Sequence, residues 1–175
     1  ATGNKSLLAI AQNQMAHIYK DREEYEKALR MYSSARDNAK FGNSSEAILW
    51  PMMNLGAVFL GTNQLDSALY YSSEAYAKSN QLNIPRNAPY LLMNIAGAYS
   101  KMGNNKQAVS YYDLAIKEAL KNQSPRFRNL VYLSYAEHFE RNHQQDSCVF
   151  YAHKAIDAVQ NSVFLYLSMK PAKLL

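Results

Sequence analysis

Asn54-Leu55-Gly56-Ala57-Val58-Phe59 is a run of small and apolar residues, and Asn94-Ile95-Ala96-Gly97-Ala98-Tyr99 restates it forty positions later. Outward from this pair the register holds. Ala16 and Ala136 stand where Gly56 and Ala96 stand, and each of these residues is followed three positions on by a ring: Tyr19, Phe59, Tyr99 and Phe139. Two more columns keep the spacing, Ala28, Ala68, Ala108 and Cys148, then Ala35, Ala75, Ala115 and Ala155. A fixed period of this length marks a helical repeat array. Small residues recur in register because helix axes about 8 to 10 Å apart leave little room for a branched side chain at the crossing point.

The first column and its aromatic lie on one helix of each unit, and the other two columns lie on a second helix. Polar turns join them, with Gly61 and Gly103 placed as helix C-caps and Asx or Thr residues opening the next helix. Caps and breakers predict helix pairs at roughly 5–20 with 23–40, 45–61 with 64–80, 86–102 with 105–121, and 125–141 with 144–160. Asn43-Ser44-Ser45-Glu46 has the form of a capping box, and Ser124-Pro125 sets a cap before a first-turn proline. Pro51 lies deeper and predicts a bend near Trp50, while Pro85 and Pro89 occupy or precede a first turn.

The pattern resembles the tetratricopeptide repeat, on Asn54-Leu55-Gly56-Ala57-Val58-Phe59 with Ala68-Leu69 and Ala75, and on Ile95-Ala96-Gly97-Ala98-Tyr99 with Gly103, Ala108, Tyr112 and Ala115. The likeness spans nearly the whole chain. It departs from the common form in length, 40 residues against 34, as in bacterial signalling proteins and kinesin-light-chain-like adaptors. The resemblance implies an all-α fold, a right-handed α-solenoid of four antiparallel helix pairs at about 5–42, 45–82, 85–122 and 125–160. Residues 161–175 then read as a capping helix, the truncated opening of a fifth repeat, and the chain reads as a fragment of a longer bacterial protein, cytoplasmic or periplasmic.

Composition narrows the function. The lone cysteine, Cys148, forms no internal disulfide and sits in a small-residue column, where a thiol acts as a small buried hydrophobe. The apolar stretch from Ala47 to Leu60 is too short to span a membrane and contains Pro51 and Asn54, so membrane insertion by this segment is not expected. The net charge is +5, yet residues 41–77 carry no Lys or Arg. Lys117, Lys121, Arg126 and Arg128 cluster without interleaved stacking aromatics beyond Phe127, which reads as solvated helix ends rather than a nucleic-acid surface. Six of the 14 tyrosines, Tyr19, Tyr25, Tyr32, Tyr99, Tyr112 and Tyr135, are expected to pack between helices. No phosphate loop or metal-ligand spacing occurs, and His138, His143 and His153 with Cys148 fall at fives, which do not share a helix face. No cofactor and no enzymatic activity are expected.

By the family's geometry, the first helix of each pair lines a concave groove. The candidate binding residues are Asn13 and His17, then Trp50, Met53 and Asn54, then Tyr90, Met93 and Asn94, and finally Leu133 and Glu137. This lining is more apolar than charged and suits an apolar peptide or an amphipathic helix. Asn54 and Asn94 recur at the repeat spacing beside Gln14 and Ser134, and the resemblance implies that they hold the ligand's main chain. The cations of a carboxylate clamp are absent from the matching places, which argues against a chaperone-tail ligand. The leading reading is a non-enzymatic protein- or peptide-binding scaffold, with a second copy of the chain as the alternative occupant. The runner-up is the sensory or dimerisation segment of a bacterial regulator, a sensor histidine kinase or transcription factor.

Overall fold

A computed structural model describes residues 2–41 and 46–160. The described residues form eight α-helices: Thr2–Asp21 (α1), Tyr25–Phe41 (α2), Leu49–Gly61 (α3), Leu65–Gln81 (α4), Ala88–Lys101 (α5), Asn105–Lys121 (α6), Pro125–Arg141 (α7) and Gln145–Asp157 (α8). A 3-10 turn, Pro85–Asn87, precedes α5, and there is no strand among the described residues. The chain divides into two compact units, Ala1–Pro85 and Arg86–Leu175. In the first, α1 pairs with α2 and α3 with α4, and α2 packs against α3. In the second, α5 pairs with α6 and α7 with α8, and both α5 and α6 pack against α7.

The small columns lie at these contacts. Ala16, Ala28, Ala35, Ala68 and Ala75 of the first unit, and Ala96, Ala108, Ala115, Ala136 and Ala155 of the second, are fully buried. Around them the rings fill the remaining volume. Tyr32 packs with Leu55 and Val58, flanked by Tyr19 and Phe59. Tyr112 stacks on Tyr135 with centroids 4.6 Å apart, and Tyr135 stacks in turn on Phe139 at 4.6 Å. Of the tyrosines expected between helices, Tyr25 is the exception: the first residue of α2, it is 37% exposed.

Six of the described turns share one device. Glu23, Asn63, Asn83, Gly103, Gln123 and His143 all take left-handed backbone, with φ between 50° and 77°. The residue after each of five of them donates its N–H to the carbonyl five positions earlier: Glu24 to Tyr19, Gln64 to Phe59, Ile84 to Ser79, Asn104 to Tyr99 and Gln144 to Phe139, at 2.8–2.9 Å. This is the Schellman closure, which satisfies carbonyls the ending helix leaves open. Gly103 fills the cap position as expected. Gly61 does not: it is the last residue of α3, and the left-handed position falls two residues later on Asn63, whose short polar side chain tolerates it.

Two start signals resolve differently. Ser124 caps α7, its Oγ accepting from Phe127 N at 3.4 Å, with Pro125 in the first turn. The capping box expected ahead of α3 lies outside the described residues at positions 43–45; residues 46–48 form a turn, and α3 starts at Leu49 with no side-chain cap. The late start also places Pro51 in the first turn of α3 rather than deeper in a helix from residue 45. Three residues into α3, its missing N–H falls in the first turn, where no intrahelical partner was due. The helix expected over residues 161–175 lies outside the described residues.

Candidate functional site

In the first unit, α1 and the beginning of α3 enclose a cavity of about 480 Å³. Asn13, Gln14 and His17 face it from α1 together with Ala9 and Ile10, and Glu46, Ala47, Trp50 and Pro51 face it from the turn and first turn of α3. The spacing explains the convergence, because residues 10, 13, 14 and 17 lie within one stripe of a helix with 3.6 residues per turn. The late start of α3 supplies the other wall, leaving Trp50 in its first turn, 42% exposed.

A hydrogen-bond chain backs the polar edge. Asn54 Nδ2 donates to Asn13 Oδ1 at 3.2 Å and to His17 Nε2 at 3.4 Å. Nε2 therefore accepts, and the imidazole proton lies on Nδ1, which is 3.0 Å from the Tyr32 hydroxyl. His17 is half-buried, and burial, reinforced by the nearby Lys20 charge, lowers its pKa from 6.5 against the smaller opposing pull of Asp21. The neutral ring is the form this network requires.

The structure thus brings together four of the sequence-predicted residues, Asn13, His17, Trp50 and Asn54. Met53, on the same helix, is buried and turned from the cavity into the core. The remaining five lie in the second unit. Asn94 is 2% exposed, with its Nδ2 lacking a hydrogen-bond partner, and so belongs to the interior rather than to an open wall. Leu133 is likewise buried, against Tyr132 and Ala155, and Met93 packs on the cluster of Ala96, Tyr112 and Tyr135. Tyr90 and Glu137 are partly exposed. Ser134, in the column of Asn54, bonds Tyr112 OH at 2.9 Å, so that column serves internal pairing in both units.

Sequence reasoning missed Ile10 and Glu46 as cavity walls and Tyr32 as the partner of His17. Tyr32 was legible only as a packing ring, and Glu46 only as part of a cap. A buried network in the second unit also went unforeseen. His138 Nδ1 lies 2.8 Å from Ser100 Oγ and 3.3 Å from Asn142 Nδ2, and Ser100 Oγ accepts from Arg141 Nη1 at 2.7 Å. Burial and the Arg141 charge lower the His138 pKa from 6.5. Cys148 is buried, and burial aided by Glu140 pushes its thiol pKa up, away from the reactive thiolate. Among the described residues no group of three His, Cys, Asp or Glu side chains converges as a metal site, and no helix is long and apolar enough to cross a membrane.

Tetratricopeptide repeat models match residues 7–81, in the first unit, and 91–125, in the second. The chain belongs to the tetratricopeptide repeat family. Its fold is the all-α helical-repeat kind, and the family is one of protein-binding scaffolds. Among solved structures similar to this tetratricopeptide repeat chain, BtubC (BKLC) from P. vanneervenii has a TM-score of 0.73 at 14% sequence identity, with 97% of this chain and 72% of that one covered. Aspartyl phosphate phosphatase F from Bacillus subtilis has a TM-score of 0.67 at 17% identity, covering 97% of this chain and 49% of its own. At such identities the likeness is one of fold. No match was found among curated protein sequences.

Proposed function

We propose that the chain is a non-enzymatic scaffold whose first unit binds a peptide at the cavity between α1 and α3. The observation that carries this is the pairing of an apolar wall, Ile10, Trp50 and Pro51, with an amide edge formed by Asn13 and Gln14, where Asn54 holds Asn13 from behind. A cavity of about 480 Å³ accepts side chains of an extended segment, and carboxamides can both donate to and accept from a main chain. α1 is also apolar beside the cavity, with Leu7, Met15 and Ile18 each at least 46% exposed, which favours contact with another polypeptide. Trp50 is the chain's single tryptophan, so its emission reports on the site. Titration with short peptide pools should shift that emission, and Asn54→Ala should weaken the binding by about 1 to 3 kcal/mol. Emission unmoved by every pool sinks the reading.

A second reading, the sensory or dimerisation segment of a bacterial signal-transduction regulator, draws support from the fold likeness to a protein named for aspartyl phosphate chemistry. Light scattering on the chain tests its dimerising form, since the exposed side of α1 would then pair with a second copy.

A further inference from the structure

Met15 and Ile18 of α1 are 46% and 54% exposed. One repeat on, the same two columns hold Leu55 and Val58 of α3, and three repeats on they hold Tyr135 and His138 of α7, all four of them buried. The cover is alike in both units. Tyr32 and Ala28 of α2 pack with Leu55 and Val58 in the first. In the second, Tyr112 of α6 stacks on Tyr135 at 4.6 Å and stands 5.7 Å from the His138 ring, with Ala108 in the same cluster. The two covering helices share the pattern Ala-x-x-x-Tyr-x-x-Ala, at Ala28, Tyr32 and Ala35 and at Ala108, Tyr112 and Ala115. The ring fills the space between the helices, and the small residues let the axes approach.

The stripe on α1 therefore continues, one repeat earlier, an interface that the chain builds twice. Leu8 and Ala11, also exposed, extend it at spacings of three and four, and none of the four residues lines the cavity. We propose that Leu8, Ala11, Met15 and Ile18 form a docking surface for an amphipathic helix of this Ala/Tyr/Ala type from another protein, seated as α2 sits on α3. A second copy does not supply that helix: its Tyr32 and Tyr112 are already spent on α3 and α7, while α4 and α8 place Ser72 and Ala152 where the ring is needed. The proposal is independent of peptide binding at the cavity.

The test adds a labelled helix to the whole chain and reads fluorescence anisotropy. The probe is the α2 sequence, residues 24–41, with Arg30→Lys and a lactam from Glu26 to that position, two exposed places one turn apart that hold the peptide helical. A Tyr32→Asp form of the probe should bind about tenfold or more weakly than the parent probe. Met15→Glu with Ile18→Glu in the chain, at exposed positions, should weaken the parent probe by a similar factor with the circular dichroism unchanged. No binding of the parent probe, equal affinity of the two probes, or indifference to the α1 changes each overturns the proposal. A chain that sediments as a dimer, turns monomeric with the α1 changes and takes up no probe overturns it in favour of a second copy.

Discussion

The Tyr32 hydroxyl meets His17 Nδ1 at 3.0 Å, with the two rings edge to face at 87°, so a buried tyrosine of α2 meets the ring nitrogen that the bond from Asn54 to Nε2 leaves protonated. Tyr32 is fully buried, and its ring is held by Ala16, Ala28, Leu55 and Val58. Removing the hydroxyl leaves this packing in place and takes away the acceptor of the Nδ1 proton. Tyr32→Phe should cost about 1 kcal/mol in urea denaturation. Nitrogen-15 spectra of the His17 ring should show a single Nδ1–H tautomer in the parent and a mixture in Asn54→Ala, which removes the donor to Nε2. A parent ring protonated on Nε2 contradicts the hydrogen-bond chain to Asn54.

Stability should fall as the solution is acidified through the histidine range. His17 and His138 both titrate below 6.5 in the folded chain, His17 through burial and then Lys20, His138 through burial and then Arg141. Between 6.5 and those lower values the unfolded chain takes up protons that the folded chain refuses. Their contribution is therefore complete above 6.5 and is lost as pH falls toward the folded values. Denaturation midpoints should decline from about pH 7 to about pH 5, and His17→Gln should flatten that decline. A slope that survives replacement of both histidines assigns the effect to carboxylates instead.

Periodicity made the helix pairs readable, because a small residue every forty positions has one cheap explanation, close helix contact. The columns could not show where within a turn each helix begins. Pro51 illustrates the gap: its place in the pattern suggested an interior kink, whereas α3 starts at Leu49 and absorbs it in the first turn. The site was legible where the binding residues share one helix stripe, as Asn13 and His17 do. It failed where burial depends on a neighbouring element: Met53, Asn94 and Leu133 occupy the same columns as cavity residues yet are covered by their own units. The left-handed turns were also half visible, since only Gly103 announces itself while Glu23, Gln123 and His143 hold the same conformation without glycine.

That last point gives a stabilising change. Gln123 sits at φ 50° between α6 and α7, and its N–H donates to the Leu120 carbonyl at 3.1 Å. An L side chain pays roughly 1 to 2 kcal/mol for left-handed backbone, which glycine avoids at the expense of roughly 0.5 to 1 kcal/mol in unfolded-chain entropy. Gln123→Gly should therefore stabilise the chain by about 0.5 to 1 kcal/mol. The reverse change, Gly103→Ala at φ 77°, should destabilise it, although the added methyl meets no atom within 4 Å. Thermal melts of the two variants moving in the same direction contradict this account of the turns.

Gly56 of α3 lies close against Ser72 of α4. A Cβ on Gly56 would lie 2.4 Å from Ser72 Oγ and 3.2 Å from the Ser72 nitrogen. Ser72 Oγ is buried without a hydrogen-bond partner, and the equivalent places one repeat to either side hold Tyr32 and Tyr112. Gly56→Ala gains about 1 kcal/mol of helix propensity but drives a methyl into that hydroxyl and toward the backbone behind it, an overpacking worth about 1 to 3 kcal/mol. The single change should be net destabilising. Ser72→Ala removes the unpartnered oxygen and should be neutral or stabilising by up to about 1 kcal/mol. In the double variant the closest clash is gone while the propensity gain stays, so it should recover most of the loss. Urea denaturation of all four proteins closes the cycle, and strictly additive effects show that the two residues do not share the contact described.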